Sequence, residues 1–359
     1  MSAVTIVKVT EEDEDQRLDR WLRQRSPSLV QSRIEKMCRK GELRIDGRRV
    51  KASTRLEIGQ NIRIPPLYEI FPSPTISKIF VRDSDIEMIQ SAVIYKDEHV
   101  IALNKPSGLS VQGGSGQKSH IDGLGEFLRY DHAENPRLVH RLDKETSGVL
   151  LLARTRSSAT ALTASFRQQK IKKNYWALVV GVPFPQAGEI SFGLVKRQIE
   201  SSDTDGRKMI AVRPEQVKHT PHAKYAYTRY ETIDHIYSLA AWISLEPVTG
   251  RSHQLRAHMA EIRCPIIGDQ KYGSLVQKNS FHDVDHSIKK IIASRKLHLH
   301  ARSICIEHPN TGHDLCLTAD LPQHMAHSWR TLGWETDISV SELSHGVSQA
   351  GGLSRSLQR

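Results

Sequence analysis

The sequence predicts an α+β protein: a small basic domain of two helices and short strands, then a larger domain on a largely antiparallel sheet. Two observations carry that expectation. Between residues 16 and 66, apolar residues recur first at helical spacing and then in short alternating runs around an Asp-Gly turn signal. From Ser91 onward, strand-length runs follow one another with few helices long enough to cross over between parallel strands. A nucleotide-binding α/β arrangement is therefore not expected.

At the N-terminus, Glu11, Glu12, Asp13, Glu14 and Asp15 stand where a signal peptide would need a cationic start and an apolar centre. No apolar run approaches the roughly 18 residues of a membrane helix, so a cytoplasmic protein with no membrane partner is expected. Residues 1–15 read as an acidic lead-in. In the first domain, residues 16–66, Leu18, Trp21 and Leu22 predict one helix. Ile34, Met37 and Cys38 predict a second that stops at Gly41. Leu43 to Ile45 alternates as a strand, Asp46-Gly47 turns it, and Asn61 to Ile64 returns before Pro65-Pro66. Arginines and lysines crowd this segment, and the whole chain carries 51 Lys+Arg against 40 Asp+Glu, a formal net charge of +11. Such a charge suits a polyanionic partner and says nothing about fold.

Residues 67–90, with Pro72 and Pro74, read as a linker, and residues 91–335 as the second domain. There, Ala92 to Pro106 gives two strands around a charged turn, and Gly113 to Gly116 a flexible loop. Ser157 to Arg167 gives a helix, and Tyr175 to Val180 a strand. Ser201 to Gly206 reads as a hairpin tip. Tyr225 to Thr232 and Leu239 to Leu245 form an antiparallel pair, followed by a helix over Ser252 to Ile262 just after Thr249-Gly250-Arg251. Residues 336–359, rich in Ser, Gly and Gln, are expected to be disordered.

The polar knot at His140 to Ser147 lies between two apolar runs, Leu138-Val139 and Val149 to Ala153, and Gly148 follows it. Within it Asp143 has cations at Arg141 and Lys144, which favour its ionised form. A partly desolvated carboxylate can act as nucleophile or base. On spacing alone a solvated charged turn is the favoured reading. Eighteen histidines invite a metal hypothesis through His253 with His258, or His298 with His300. The first pair is off a common helical face, however, and no metal is expected. Cys38, Cys264, Cys305 and Cys316 show no C-x-x-C spacing and read as core thiols.

HRLDKETSG at 140–148 resembles the signature of the RluA family of pseudouridine synthases. Further blocks resembling the family follow in order: LNKPSGLSVQGGSG at 103–116, KNYWALVVG at 173–181, PVTGRSHQLRAHMAEIRCPIIGDQKYG at 247–273 and LHLHARSICIEHPNTG at 297–312. The likeness spans roughly residues 95–320. It implies a mixed, largely antiparallel central sheet and an isomerisation of uridine to its C-glycoside without metal, nucleotide or redox cofactor. It also implies roles: Asp143 as nucleophile, Arg251 as its ionic partner, and Tyr175 packed on the target base as the candidate to deprotonate carbon 5. Arg141 would fill the gap left by a flipped nucleotide, and His140, Thr146 and Lys105 would be further substrate contacts. Read without the resemblance, Tyr175 is a strand aromatic and Arg251 a helix cap or salt-bridge partner. RLDRWL and KGELRIDGRRVKASTRLEIGQNIRI resemble the S4 RNA-binding domain, with Arg33, Lys36, Arg39 and Lys40 turned toward an RNA backbone. The implied partner is large-subunit (23S) ribosomal RNA, bound by a monomer. An enzyme of the same family acting on tRNA is one rival; a non-catalytic ribosome-assembly factor is another, against which the intact Asp143, Tyr175 and Arg251 set speaks.

Overall fold

The computed structural model describes residues 4–26, 29–66, 81–113, 119–198, 207–273 and 285–336. The chain divides into two units, Met1–Phe80 and Val81–Arg359. In the first, β1 (Thr5–Lys8) precedes α1 (Leu18–Arg25) and α2 (Gln31–Lys40), then come β2 (Arg44–Ile45), β3 (Arg48–Arg49) and β4 (Asn61–Ile64). Leu18, Trp21, Leu22, Ile34 and Met37 are fully buried in one core with Leu43, Leu56 and Ile62, as the spacing predicted. Gly41 ends α2 in the left-handed conformation (φ 69°), where a residue without Cβ is least strained. The acidic lead-in needs correction. Residues 5–8 are not separate from this domain, because β1 pairs antiparallel with β4 and Val9 is buried in the same core.

The second unit contains α3 (Asp83–Ser91), β5 (Val93–Lys96), β6 (Val100–Lys105), β7 (Arg137–Leu138), β8 (Ser147–Ala153), α4 (Arg156–Arg167), β9 (Lys172–Val180), β10 (Ala187–Gln198) and β11 (Arg207–Val212). It continues with β12 (Lys224–Ile236), β13 (Ala240–Pro247), α5 (Gln254–Glu261), α6 (His286–Ile292), β14 (Leu299–Glu307), β15 (Asp314–Thr318) and α7 (Gln323–Thr331). The linker ends earlier than expected. Residues 83–91 are helical, and Ile89 is fully buried against Leu124, Leu128 and Leu152. The expectations for 67–80, Gly114 to Gly116, Ser201 to Gly206 and 337–359 lie outside the described residues.

One sheet organises this unit, in the order β11-β10-β12-β13-β9-β14-β8-β6-β5, with β15 beside β14 and β7 beside β8. Its pairings are antiparallel except β14 with β8, so the sheet is mixed. Strand β8 is buried along its whole length. Leu150 and Leu152 enter a core with Ile89 and Leu142, and Val149, Leu151 and Ala153 enter another with Leu162 and Ile171. Burial on both faces explains its unbroken apolar run. Gly148 (φ 108°) lets β14 approach, since a Cβ there would lie 2.2 Å from the Ala301 carbonyl oxygen. Cys305 and Cys316, expected as thiols, sit opposite each other on β14 and β15 and form a disulfide; Cys38 and Cys264 are buried and free. Among the described residues no helix is long and apolar enough to cross a membrane.

Candidate active site

The polar knot becomes a loop between β7 and β8, anchored by side chains that go to opposite sides of the sheet. Val139 packs with Leu151 and Leu162, and Leu142 packs with Leu150 and Ile89. Below it lies Lys105, expected to touch substrate but fully buried at the end of β6. Its ammonium donates to the carbonyls of Pro106 (2.8 Å), Leu109 (2.9 Å) and Lys144 (3.0 Å). Burial pushes it down to about 7 against the pull of Glu145 and Asp143. Ser107 Oγ donates to the Glu145 carbonyl and the Gly108 amide to that of Lys144. Lys105 therefore supports the loop from beneath rather than lining the cleft, because its three protons are already matched to three carbonyls.

His140 is likewise better described as structure than as a free contact. Its Nε2 accepts the Leu151 amide (2.8 Å) and its ring stacks on Phe166 at 4.4 Å. Burial, with the nearby Lys173 cation, lowers it to about 3, so it stays neutral. Thr146 is buried, with its amide on the Asp143 carbonyl in a tight turn. Arg141 is exposed at the cleft.

The loop faces a cleft of about 400 Å³ whose lining includes Asp143, Tyr175, Lys173, Arg251, His253 and Arg256. Asp143, Tyr175 and Arg251 thus come together, but the pairing differs from expectation. The cation on Asp143 is Arg256, whose Nη1 lies 3.6 Å from Oδ2; His253 Nε2 is 3.9 Å from the same oxygen. Arg251 instead donates from Nε to the Tyr225 carbonyl (3.0 Å). The reason is local. His253 adopts the left-handed conformation (φ 50°, ψ 22°), α5 starts only at Gln254, and its first turn presents Arg256 to the loop. Gln254 fixes the preceding segment: its Oε1 accepts from Thr249 Oγ1 and the Arg251 amide, and its Nε2 donates to the Tyr227 carbonyl.

Arg256 is held from behind by Asp269, in a bidentate pair at 2.7 and 2.8 Å with the carboxylate fully buried. Burial opposes the guanidinium charge, but Asp269 and Asp143 outweigh it and raise its pKa. Asp269 also accepts the amides of Lys271 and Tyr272. Tyr175, on β9, is pushed upward by burial and by the Asp143 charge, so its phenol is protonated at rest. Sequence reasoning missed Arg256, Asp269 and Tyr272, and raised His253 only as a metal ligand to set aside. All four lie in the quoted 247–273 block, where the second arginine and the later aspartate were the available signal.

His298 and His300, raised as metal ligands, are spent on structure. His298 bridges the Lys296 carbonyl and Ser328 Oγ; His300 bridges Ser147 Oγ and the Ala319 carbonyl. In the first domain Arg33, Lys36, Arg39 and Lys40 are all exposed on α2, away from the buried face of Ile34 and Met37.

Residues 99–261 match the RNA pseudouridylate synthase family and residues 16–62 the S4 domain. The chain is 34% identical to ribosomal large subunit pseudouridine synthase C of Rickettsia felis over 85% of its own length and 93% of that protein. It is 33% identical to the protein of the same name from Escherichia coli, over 89% and 94%. The solved structure of human RNA pseudouridylate synthase domain containing 4 superposes with a TM-score of 0.55 and 31% identity, over 70% of this chain and 96% of that one.

Proposed function

This chain belongs to the RNA pseudouridylate synthase family, and from that premise we propose that it isomerises uridines of large-subunit ribosomal RNA to pseudouridine, with Asp143 as nucleophile. The observation that carries the reading is the Asp143 carboxylate in the cleft, with Oδ2 facing the buried Arg256–Asp269 pair. Arg256 sets a buried, backed guanidinium 3.6 Å from Oδ2, a partner that a free aspartate on a surface turn lacks. The substrate follows from the relatives named for the large ribosomal subunit and from the S4 domain.

A stacked uridine cannot reach Asp143, so the nucleotide is flipped into the cleft. Arg141, exposed at the cleft's edge, occupies the vacated place in the RNA. The carboxylate attacks the nucleotide, the bond from C1′ to N1 breaks, and the uracil turns so that C5 meets C1′. C5 bonds to C1′, the C5 proton leaves, N1 takes one up, and the bond to Asp143 breaks to return the free carboxylate. Atoms balance without oxidant, reductant or transferred group, so the chemistry draws on no cofactor. Tyr175 begins as a wall against the base, since ionising it beside Asp143 is unfavourable. While Asp143 is held in a covalent bond that repulsion is absent, so the phenol can ionise by passing its own proton to N1, and the resulting phenolate takes the C5 proton. Arg33, Lys36, Arg39 and Lys40 supply grip on phosphates without reading sequence. The protein works as a cytoplasmic monomer.

The test is chemical mapping of pseudouridine in ribosomal and transfer RNA from a strain lacking the protein, restored with wild type or Asp143→Asn. Sites lost from large-subunit RNA should return with wild type and not with Asp143→Asn, which removes the nucleophile with little change in volume. Losses confined to tRNA would overturn the substrate. No loss at all would favour the binding-only rival.

A further inference from the structure

Arg256 is not the only group aimed at Asp143. We propose that His253 is a positioning residue for the nucleophile: a neutral imidazole whose Nε2–H is donated to Asp143 Oδ2 during the reaction, with its tautomer imposed by Tyr272. This rests on the reading of Asp143 as the nucleophile.

The backbone gives the first indication. A non-glycine residue in the left-handed region is strained and needs compensation. At φ 50° His253 stands at the N-cap of α5 but makes no side-chain cap bond, so capping is not the compensation. What the conformation achieves is to set the imidazole between Asp143 and Tyr272. Nε2 lies 3.9 Å from Asp143 Oδ2, and Nδ1 lies 3.2 Å from the Tyr272 hydroxyl.

Proton direction follows from counting donors. The Tyr272 oxygen already accepts the Met209 amide at 2.9 Å, and the ring is buried. A phenol has one proton to give, and the acceptor within reach is His253 Nδ1. An imidazole that accepts at Nδ1 carries its own proton on Nε2, toward the carboxylate. The chain therefore runs from the β11 backbone through Tyr272 and His253 to the nucleophile. Burial keeps His253 below its ordinary pKa, and Arg256 and Lys271 add to that, while Asp143 and Asp269 pull the other way. A neutral donor suits the task, since it orients a carboxylate without neutralising it by proton transfer. Arg256 and His253 both address Oδ2, which leaves Oδ1 as the oxygen free to attack. At 3.9 Å the separation of His253 from Asp143 is longer than a hydrogen bond. A rotation of the carboxylate toward the flipped nucleotide closes it.

Single-turnover rates, RNA dissociation constants and melting temperatures of His253→Ala, Tyr272→Phe, the double variant and Asp143→Asn test the proposal. His253→Ala should slow the chemical step about 10- to 100-fold, the range for loss of an outer partner of a functional ligand, with RNA affinity and melting temperature near wild type. Tyr272→Phe frees the tautomer and should slow it less. The double variant should be no slower than His253→Ala, because Tyr272 acts only through His253. His253→Gln, which keeps an N–H donor on a long side chain, should recover part of the rate; His253→Asn, tolerant of the left-handed backbone but too short, should not. Wild-type rates for His253→Ala, multiplicative losses in the double variant, or equal rates for Asn and Gln would each overturn the assignment. Turnover by Asp143→Asn would instead overturn the nucleophile reading. An inactive Asp143→Asn beside a full-rate His253→Ala would overturn this inference alone.

Discussion

Arg251 and Arg256 bear the same charge and differ in what holds them. Arg256 has a side chain 7% exposed and a fully buried carboxylate behind it, so its removal leaves Asp269 unpaired in the interior. Arg256→Met should destabilise the catalytic domain by about 3–5 kcal/mol. Arg256→Lys should keep more stability yet slow the chemical step sharply, because a point charge cannot fork to two oxygens and also face Asp143. Arg251→Met loses one bond to a backbone carbonyl, about 1 kcal/mol. It should weaken RNA binding more than it slows catalysis. Melting temperatures with single-turnover kinetics decide the matter, and a dead Arg251→Met beside an active Arg256→Lys would reverse the assignment. Asp143 and Tyr175 were legible from their motifs and meet in one cleft. The choice between the two arginines was not legible. It depends on the left-handed turn at His253 and on Asp269, both products of tertiary structure. Lys105 was placed in the right neighbourhood and given the wrong task, since a motif does not say whether a polar side chain faces ligand or backbone; His140 lines the cleft but spends Nε2 on the Leu151 amide.

At the scale of elements, strand β8 and its loop are one device: the strand is clamped from both faces and Lys105 ties the loop's Lys144 carbonyl to those of Pro106 and Leu109. Gly148→Ala should be among the most damaging small substitutions in the chain, lowering stability by about 4 kcal/mol or more, because it combines a positive φ with a collision against the Ala301 backbone. Thermal unfolding reads this directly, and a near-normal melting temperature would mean that β14 does not sit against β8 as described. The apolar run of β8 was readable from sequence. Its parallel neighbour was not, since nothing local in 147–153 announces a strand from 299–307. Helix α3 was missed because its charges resemble a linker and few of its residues reach the core. Helix α2 makes a separate prediction. Replacing Arg33, Lys36, Arg39 and Lys40 with Gln should flatten the dependence of log affinity on log salt by about 0.7–0.9 for each phosphate that is no longer neutralised. The rate at saturating RNA should hold, and an unchanged slope would remove α2 from the interface.

For the whole molecule, acid is the telling variable. Burial lowers His258, His298 and His300 to about 4 and His140 to about 3, so all are neutral when folded. The unfolded chain protonates them near pH 6.5. It therefore binds more protons below that value, and stability present above pH 6.5 is lost as pH falls, levelling near pH 4. By linkage each histidine costs roughly 2 kcal/mol at pH 5. The melting temperature should drop steeply between pH 7 and 5, before most carboxylates titrate; a flat profile there would contradict four neutral imidazoles. Strand β14 lies between β9 and β8 and joins Ser147 to His300 across 153 residues of chain. During synthesis Asp143, Tyr175 and Arg256 all emerge before that strand exists, and Ser147 and Gly148 at the start of β8 still lack their parallel partner. On the proposed reading, a nascent chain already holding these three side chains should stay inactive until β14 joins β9 to β8.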